Sequence, residues 1–84
     1  MDLRLFSTFL RVAELQNFTK AAEQLGYSQA TVTVQIHQLE QALGIQLFER
    51  IGKRVRMTER GEQFIPYAIE ILKAEQNAKD FLRE

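Results

Sequence analysis

The sequence predicts a mainly α-helical fold: a winged helix-turn-helix, made of three helices and a small β-hairpin wing, followed by a long C-terminal linker helix. Three observations carry that expectation. Apolar residues recur at helical spacing through residues 3–15, 21–25 and 32–43. Gly26 separates the second and third stretches, with Ala22 four residues before it and Val32 and Ile36 after it. Two helices joined by a short turn containing glycine form the helix-turn-helix pattern. An ordinary helical hairpin could share Gly26 but would not need Ala22, Val32 and Ile36 in this register. Finally, Val55 and Met57 flank Arg56 with the two-residue period of a strand.

The first helix is expected over about residues 3–15, with Asp2 able to cap its start. Leu5 or Phe6, Phe9, Leu10, Val12 and Ala13 face the core. Asn17 breaks the pattern, and Thr19 is the expected N-cap of a short second helix, residues 20–25, with Ala21, Ala22 and Leu25 inward. Gly26 ends it, because glycine adopts the left-handed conformation without steric cost. Ser28 caps the third helix, residues 29–43, and Gly44 ends it. The wing spans residues 49–57 and turns at Gly52. Thr58 caps the last helix, about residues 59–82, whose first turns Gly61 weakens. Pro66 removes a backbone donor inside that helix, so a kink or two helical pieces are expected. These elements divide the chain into a winged helix-turn-helix (1–58) and a trailing helix (59–84).

The last helix is apolar at Phe64, Ile65, Ala68, Ile69, Ile71, Leu72, Ala78, Phe81 and Leu82. So wide a stripe needs a second surface. The favoured one is the same helix of another chain, with Phe64, Ile65, Ala68, Ile71, Leu72, Ala78 and Leu82 at the contact. The alternatives are folding back on its own core, or cover by a further domain.

Composition narrows the function. Eighty-four residues hold one small domain. With no cysteine and a single histidine, neither a disulfide nor a zinc site can be built, and the chain fits a reducing compartment such as the cytoplasm. No apolar run reaches membrane-spanning length, so no membrane partner is expected. The net charge is zero but unevenly spread. Residues 50–60 carry Arg50, Lys53, Arg54, Arg56 and Arg60 against Glu59 alone, while each flank carries three basic and five acidic groups. A local cationic patch can grip phosphate on a neutral chain; the alternative is a solvated hairpin that is basic by chance.

The third helix poses the functional question. Val32, Ile36, Leu39 and Leu43 form its apolar stripe, whereas Gln29, Ala30, Thr33, Val34 and His37 form a stripe without lysine or arginine. The run FTKAAEQLGYSQATVTVQIHQLEQALGIQLFERIGKRVRMTERGEQF resembles the N-terminal winged helix-turn-helix domain of LysR-type transcriptional regulators. The joined pattern AA-x2-L-x2-SQ-x2-V-x3-I-x2-LE-x2-LG-x2-LF-x-R is highly specific. The resemblance covers the whole chain, with the trailing helix corresponding to the family's linker helix.

The resemblance implies a bacterial regulator that binds duplex DNA as a homodimer through the linker helix. Full-length members usually add a C-terminal effector-binding domain and often form tetramers; no cofactor is implied in this segment. By the same resemblance, the base-reading positions are Gln29, Ala30, Thr33, Val34 and His37, with Thr31 near the backbone. Thr19 and Ser28 correspond to phosphate-approaching positions, and Lys53, Arg54, Arg50 and Arg56 to the wing's phosphate and minor-groove contacts. Positions 34 and 37, often arginine or lysine in the family, are Val34 and His37 here. That argues against a bidentate guanine contact from this helix and against strong phosphate anchoring by it.

The chemistry of the stripe then points to A·T-containing half-sites. Gln29 can pair with adenine through one donor and one acceptor, and Ala30, Val34 and the Thr33 methyl can meet thymine methyls. His37 can donate to guanine or phosphate, more strongly when protonated. A twofold dimer implies an inverted-repeat operator. Three other readings fit the residues less well. A protein-interaction module would carry large apolar or acidic residues on the third helix. An enzyme would need a catalytic set and a pocket that this short sequence lacks. RNA binding lacks an exposed aromatic platform, since Phe6, Phe9, Phe18, Phe48 and Phe64 read as core.

Overall fold

A computed structural model describes residues 1–51 and 54–83. The elements follow as α1 (Arg4–Leu15), α2 (Phe18–Leu25), α3 (Gln29–Leu43), β1 (Phe48–Ile51), β2 (Arg54–Met57) and α4 (Glu59–Leu82). β1 and β2 pair antiparallel, with Phe48 opposite Met57, Glu49 opposite Arg56, Arg50 opposite Val55 and Ile51 opposite Arg54. The expected turn residue Gly52 and the cation Lys53 lie outside the described residues.

The ends of the helices are set by local chemistry. At α1 the expected cap is not found: Leu3 precedes the helix without a side-chain cap, and the Asp2 carboxylate instead accepts from the Arg4 N–H at 2.9 Å. Its hydrogen bonds to Arg4 also hold the carboxyl below the usual carboxylate range. α1 stops where Gln16 turns left-handed, at φ 49°. One expectation is corrected at α2. Asn17, not Thr19, is the cap: its extended backbone lets the side chain accept from the Lys20 N–H at 2.9 Å, and the helix begins at Phe18. Thr19 therefore lies in the first turn, where its hydroxyl is free for other partners. Gly26 closes α2 at φ 75°, which a side chain would strain. Ser28 caps α3 by accepting from the Thr31 N–H at 3.1 Å.

The core lies where α1, α2, α3 and the hairpin meet. Phe9, Val12, Ala21, Val32, Leu39, Leu47 and Ala68 are fully buried. The Phe9 ring lies 5.6 Å from that of Phe48 and 5.5 Å from that of Phe64, joining α1 to the wing and to α4. Each of the larger apolar side chains withdrawn from water, from Val to Phe, contributes about 1.5–3 kcal/mol. Thr8 is also buried, and its hydroxyl donates to the Gln35 Oε1, tying α1 to α3.

α4 is fastened at its start. The Thr58 hydroxyl accepts from the Gly61 N–H at 2.9 Å and donates to the Gln46 carbonyl at 2.6 Å. A Cβ on Gly61 would stand 2.2 Å from the Leu47 carbonyl oxygen. This glycine therefore permits a close backbone crossing, which outweighs its poor helix propensity. Residues Glu59–Leu82 form one helix with Pro66 inside it, so the expected division into two pieces is not found. Folding back accounts for part of the apolar stripe. Ala68 is fully buried in the chain's own core, and Phe64, Ile65, Ile71 and Leu72 pack partly against it. Tyr67, Ile69, Phe81 and Leu82 remain exposed, as does Ala78.

Candidate nucleic-acid interface

The turn at Gly26 and the cap at Ser28 launch α3 with Val32, Ile36 and Leu39 buried. That register leaves Gln29, Ala30, Thr31, Val34 and His37 exposed, with Thr33 half-buried beside them. Val34 is 54% exposed although apolar. The expected stripe is thus one continuous surface of amide, hydroxyl, methyl and imidazole groups.

Thr19 and Ser28 stand at the edge of this surface. The Thr19 hydroxyl donates to the Gln29 Oε1 at 3.3 Å, across the turn. This bond occupies one lone pair of the amide oxygen and leaves the second, together with the Nε2 hydrogens, directed elsewhere. The Ser28 hydroxyl meets the Thr31 hydroxyl at 3.0 Å besides capping the helix.

The hairpin register decides which cations approach. Residues directly opposite each other share a face of an antiparallel pair. Phe48, Arg50, Val55 and Met57 therefore share the inner face, and Glu49, Ile51, Arg54 and Arg56 the outer one. Inner placement sets the Arg50 guanidinium 4.9 Å over the Phe18 ring. Such a cation over an aromatic face is held without losing its charge. One small groove brings Thr19, Gln29, Arg50 and Arg54 together with Asn17 at the start of α2. A second brings Arg50 beside Thr33, His37 and Glu40. Arg50 is thus the hinge of the surface, common to both grooves.

Arg56 is placed differently. It bonds across the hairpin to the Glu49 Oε1 at 2.6 Å and 3.1 Å, on the hairpin's outer face. Of the residues expected at the interface, Thr19, Gln29, Arg50 and Arg54 line one groove and Thr33, His37 and Arg50 the other, Ser28 joins Thr31 at the start of α3, and Ala30 and Val34 are exposed on the same helix. Lys53 lies outside the described residues.

Sequence reasoning missed two participants. Phe18 was read only as core, yet its ring also seats Arg50. Glu40 was read only as part of a motif. Its carboxylate accepts from the Leu47 N–H at 2.8 Å and the Phe48 N–H at 3.3 Å. The signal for Glu40 was its place on α3 next to the apolar stripe, where an acid needs a partner. Among the described residues, no three His, Cys, Asp or Glu side chains come together to hold a metal ion, and no helix is long and apolar enough to cross a membrane.

The model of the bacterial regulatory helix-turn-helix protein, lysR family, matches residues 3–62. The HTH-type transcriptional regulator CitR of Bacillus subtilis (strain 168) is 42% identical over 78 residues, covering 93% of this chain and 27% of CitR. The uncharacterized HTH-type transcriptional regulator YwqM of the same organism is 46% identical over 79 residues, covering 94% of this chain and 27% of YwqM. The chain thus spans about a quarter of the length of these curated relatives. Among solved structures, the CbnR_DBD-DNA complex superposes with a TM-score of 0.92 at 35% identity, covering 99% of this chain and 95% of that one. The BenM_DBD/catB site 1 DNA complex superposes with a TM-score of 0.88 at 40% identity, covering 99% and 89%.

Proposed function

The chain belongs to the lysR family of bacterial regulatory helix-turn-helix proteins, and on that premise we propose that it binds duplex DNA sequence-specifically as a homodimer, as the DNA-binding part of a transcriptional regulator. α3 (Gln29–Leu43) enters the major groove, and the wing (49–57) meets phosphate and the minor groove of an inverted-repeat operator. The observation that carries this reading is the uncharged, exposed face of α3 lying beside Arg50 and Arg54. A major groove is read by hydrogen bonds and methyl contacts, while phosphate is gripped by cations. The two structures above, each a complex with DNA, support the same ligand.

In this reading Gln29 offers its amide edge to adenine, backed by the Thr19 hydroxyl. Ala30, Val34 and the Thr33 methyl meet thymine methyls, and His37 reaches a guanine acceptor or phosphate. Arg50 neutralises phosphate at the seam between the wing and α3, with Arg54 beside it.

The exposed side of α4 supports the dimer and refines its face. Phe64, Tyr67, Ile71, Ala74, Ala78 and Phe81 fall at alternating three- and four-residue steps, the period of a left-handed helix pair. Tyr67, Ala74, Ala78 and Phe81 are exposed in the single chain, unlike Ala68. Antiparallel pairing sets Phe64 opposite the partner's Phe81, Tyr67 opposite the partner's Ala78 and Ile71 opposite the partner's Ala74. Large residues then meet small ones in the middle layers. Parallel pairing would instead stack alanine on alanine and leave voids.

The test is selection from a random duplex library, followed by titration of the best site at two salt concentrations. The expected result is an enriched inverted repeat with A·T pairs in each half-site. Enrichment of no sequence, with only salt-sensitive binding, would overturn the reading. Sedimentation of the same chain should give a dimer, and Phe81→Glu a folded monomer.

A further inference from the structure

The wing is tied to the recognition helix by an acid. Glu40 projects from α3 and is mostly covered, with 16% of its side chain exposed. Its Oε2 receives both the Leu47 and Phe48 N–H groups, and its Oε1 lies 3.9 Å from the His37 Nδ1. The DNA-binding reading makes this placement costly, because a carboxylate near a phosphate backbone is repelled. A compensating role follows from what it holds. Leu47 is fully buried and Phe48 begins β1. Arg50 stands two residues on, along the same inner face of the hairpin as Phe48. Fixing the backbone at 47–48 therefore fixes where the Arg50 guanidinium stands relative to Gln29 and His37.

We propose that Glu40 is a positioning residue for DNA binding: through the Leu47 and Phe48 N–H groups it sets the wing so that Arg50 meets phosphate in register with the base-reading face of α3. The proposal rests on the DNA-binding reading above. It assigns Glu40 a geometric role, in which its reach and acceptor oxygens matter and its negative charge does not.

Two substitutions separate those properties. Glu40→Gln removes the charge but keeps the reach and a carbonyl acceptor; Glu40→Asp keeps the charge but withdraws the oxygens by one methylene. With the 84-residue chain on its best selected duplex, binding is titrated over a range of salt. The logarithmic salt slope counts neutralised phosphates, at about 0.9 per contact. Glu40→Asp is expected to lose about 1.8 of slope, one contact from each protomer of the bound dimer, while keeping the same ranking of bases opposite α3. Glu40→Gln is expected to keep the wild-type slope and to bind at least as tightly. A fold defect alone lowers the active fraction equally at every salt concentration and leaves the slope unchanged. Wild-type slope in Glu40→Asp overturns the proposal, as does an equal loss in Glu40→Gln. A wild-type chain that binds no duplex overturns the DNA-binding reading itself, and this proposal with it.

Discussion

α3 and the wing meet at one seam but present opposite chemistry. α3 shows solvent Gln29, Ala30, Thr31, Val34 and His37, without a permanently charged group among them. The wing shows Arg50, Arg54 and Arg56 within a few residues of one another. The two surfaces also differ in how they are held. Each exposed residue of α3 is placed by the helix itself, whose inner face is locked by Val32, Ile36 and Leu39. Arg50 is placed by tertiary contacts, with Phe18 beneath it and Glu40 at the root of its strand. On the proposed DNA-binding reading, the difference teaches that discrimination and grip are divided between two elements. The first depends on local helical periodicity and the second on packing between elements.

Substitutions can break this division or sharpen it. The largest effect comes from removing the support common to both regions. Leu39 is fully buried on the inner face of α3, so Leu39→Ala is expected to cost about 2–5 kcal/mol in a urea melt. It should abolish grip and discrimination together. Next is Arg50→Ala. Binding should weaken on every duplex, with the dimer's salt slope reduced by about 1.8, one contact from each protomer, and the ranking of bases preserved. A change in that ranking would show that Arg50 reads bases and that the division is false.

Gln29→Ala should do the reverse. It is expected to forfeit about 1–3 kcal/mol of discrimination at one base pair, measured by titrating single-base variants of the best site, with the salt slope intact. Thr19→Val should reproduce part of that loss, because the Gln29 amide loses the hydroxyl that orients it. Smallest is Arg56→Ala. Its guanidinium is engaged by Glu49 on the outer face of the hairpin, and exposed pairs of this kind are worth under about 1 kcal/mol. Its effect on DNA affinity should be well below that of Arg50→Ala in the same titration.

Much of the molecule was legible because its signals are local. Ser28 and Thr58 were readable as caps, and Gly26 as a helix stop, because each acts within three or four residues of its own position. Asn17 shows the limit of that reading. Asn17 and Thr19 both favour caps, and what decided between them was burial of Phe18, which draws the start of α2 back to Asn17. Gly61 shows a second limit. From the sequence it is a weak helix former; in the fold it is the residue that admits the Leu47 carbonyl.

By itself the sequence determined the order of helices, turn and hairpin, and which residues of α3 face outward. Those properties repeat with the period of the backbone and need no knowledge of distant residues. Only the tertiary structure decided that Arg50 and Arg56 part company, that Ala68 belongs to the chain's own core, and that Glu40 fastens the wing. Arg50 and Arg56 look alike in sequence, and they are separated by a hairpin register in which alternate residues take opposite faces. Ala68 and Glu40 find partners in other elements, and those contacts exist only once the helices have packed.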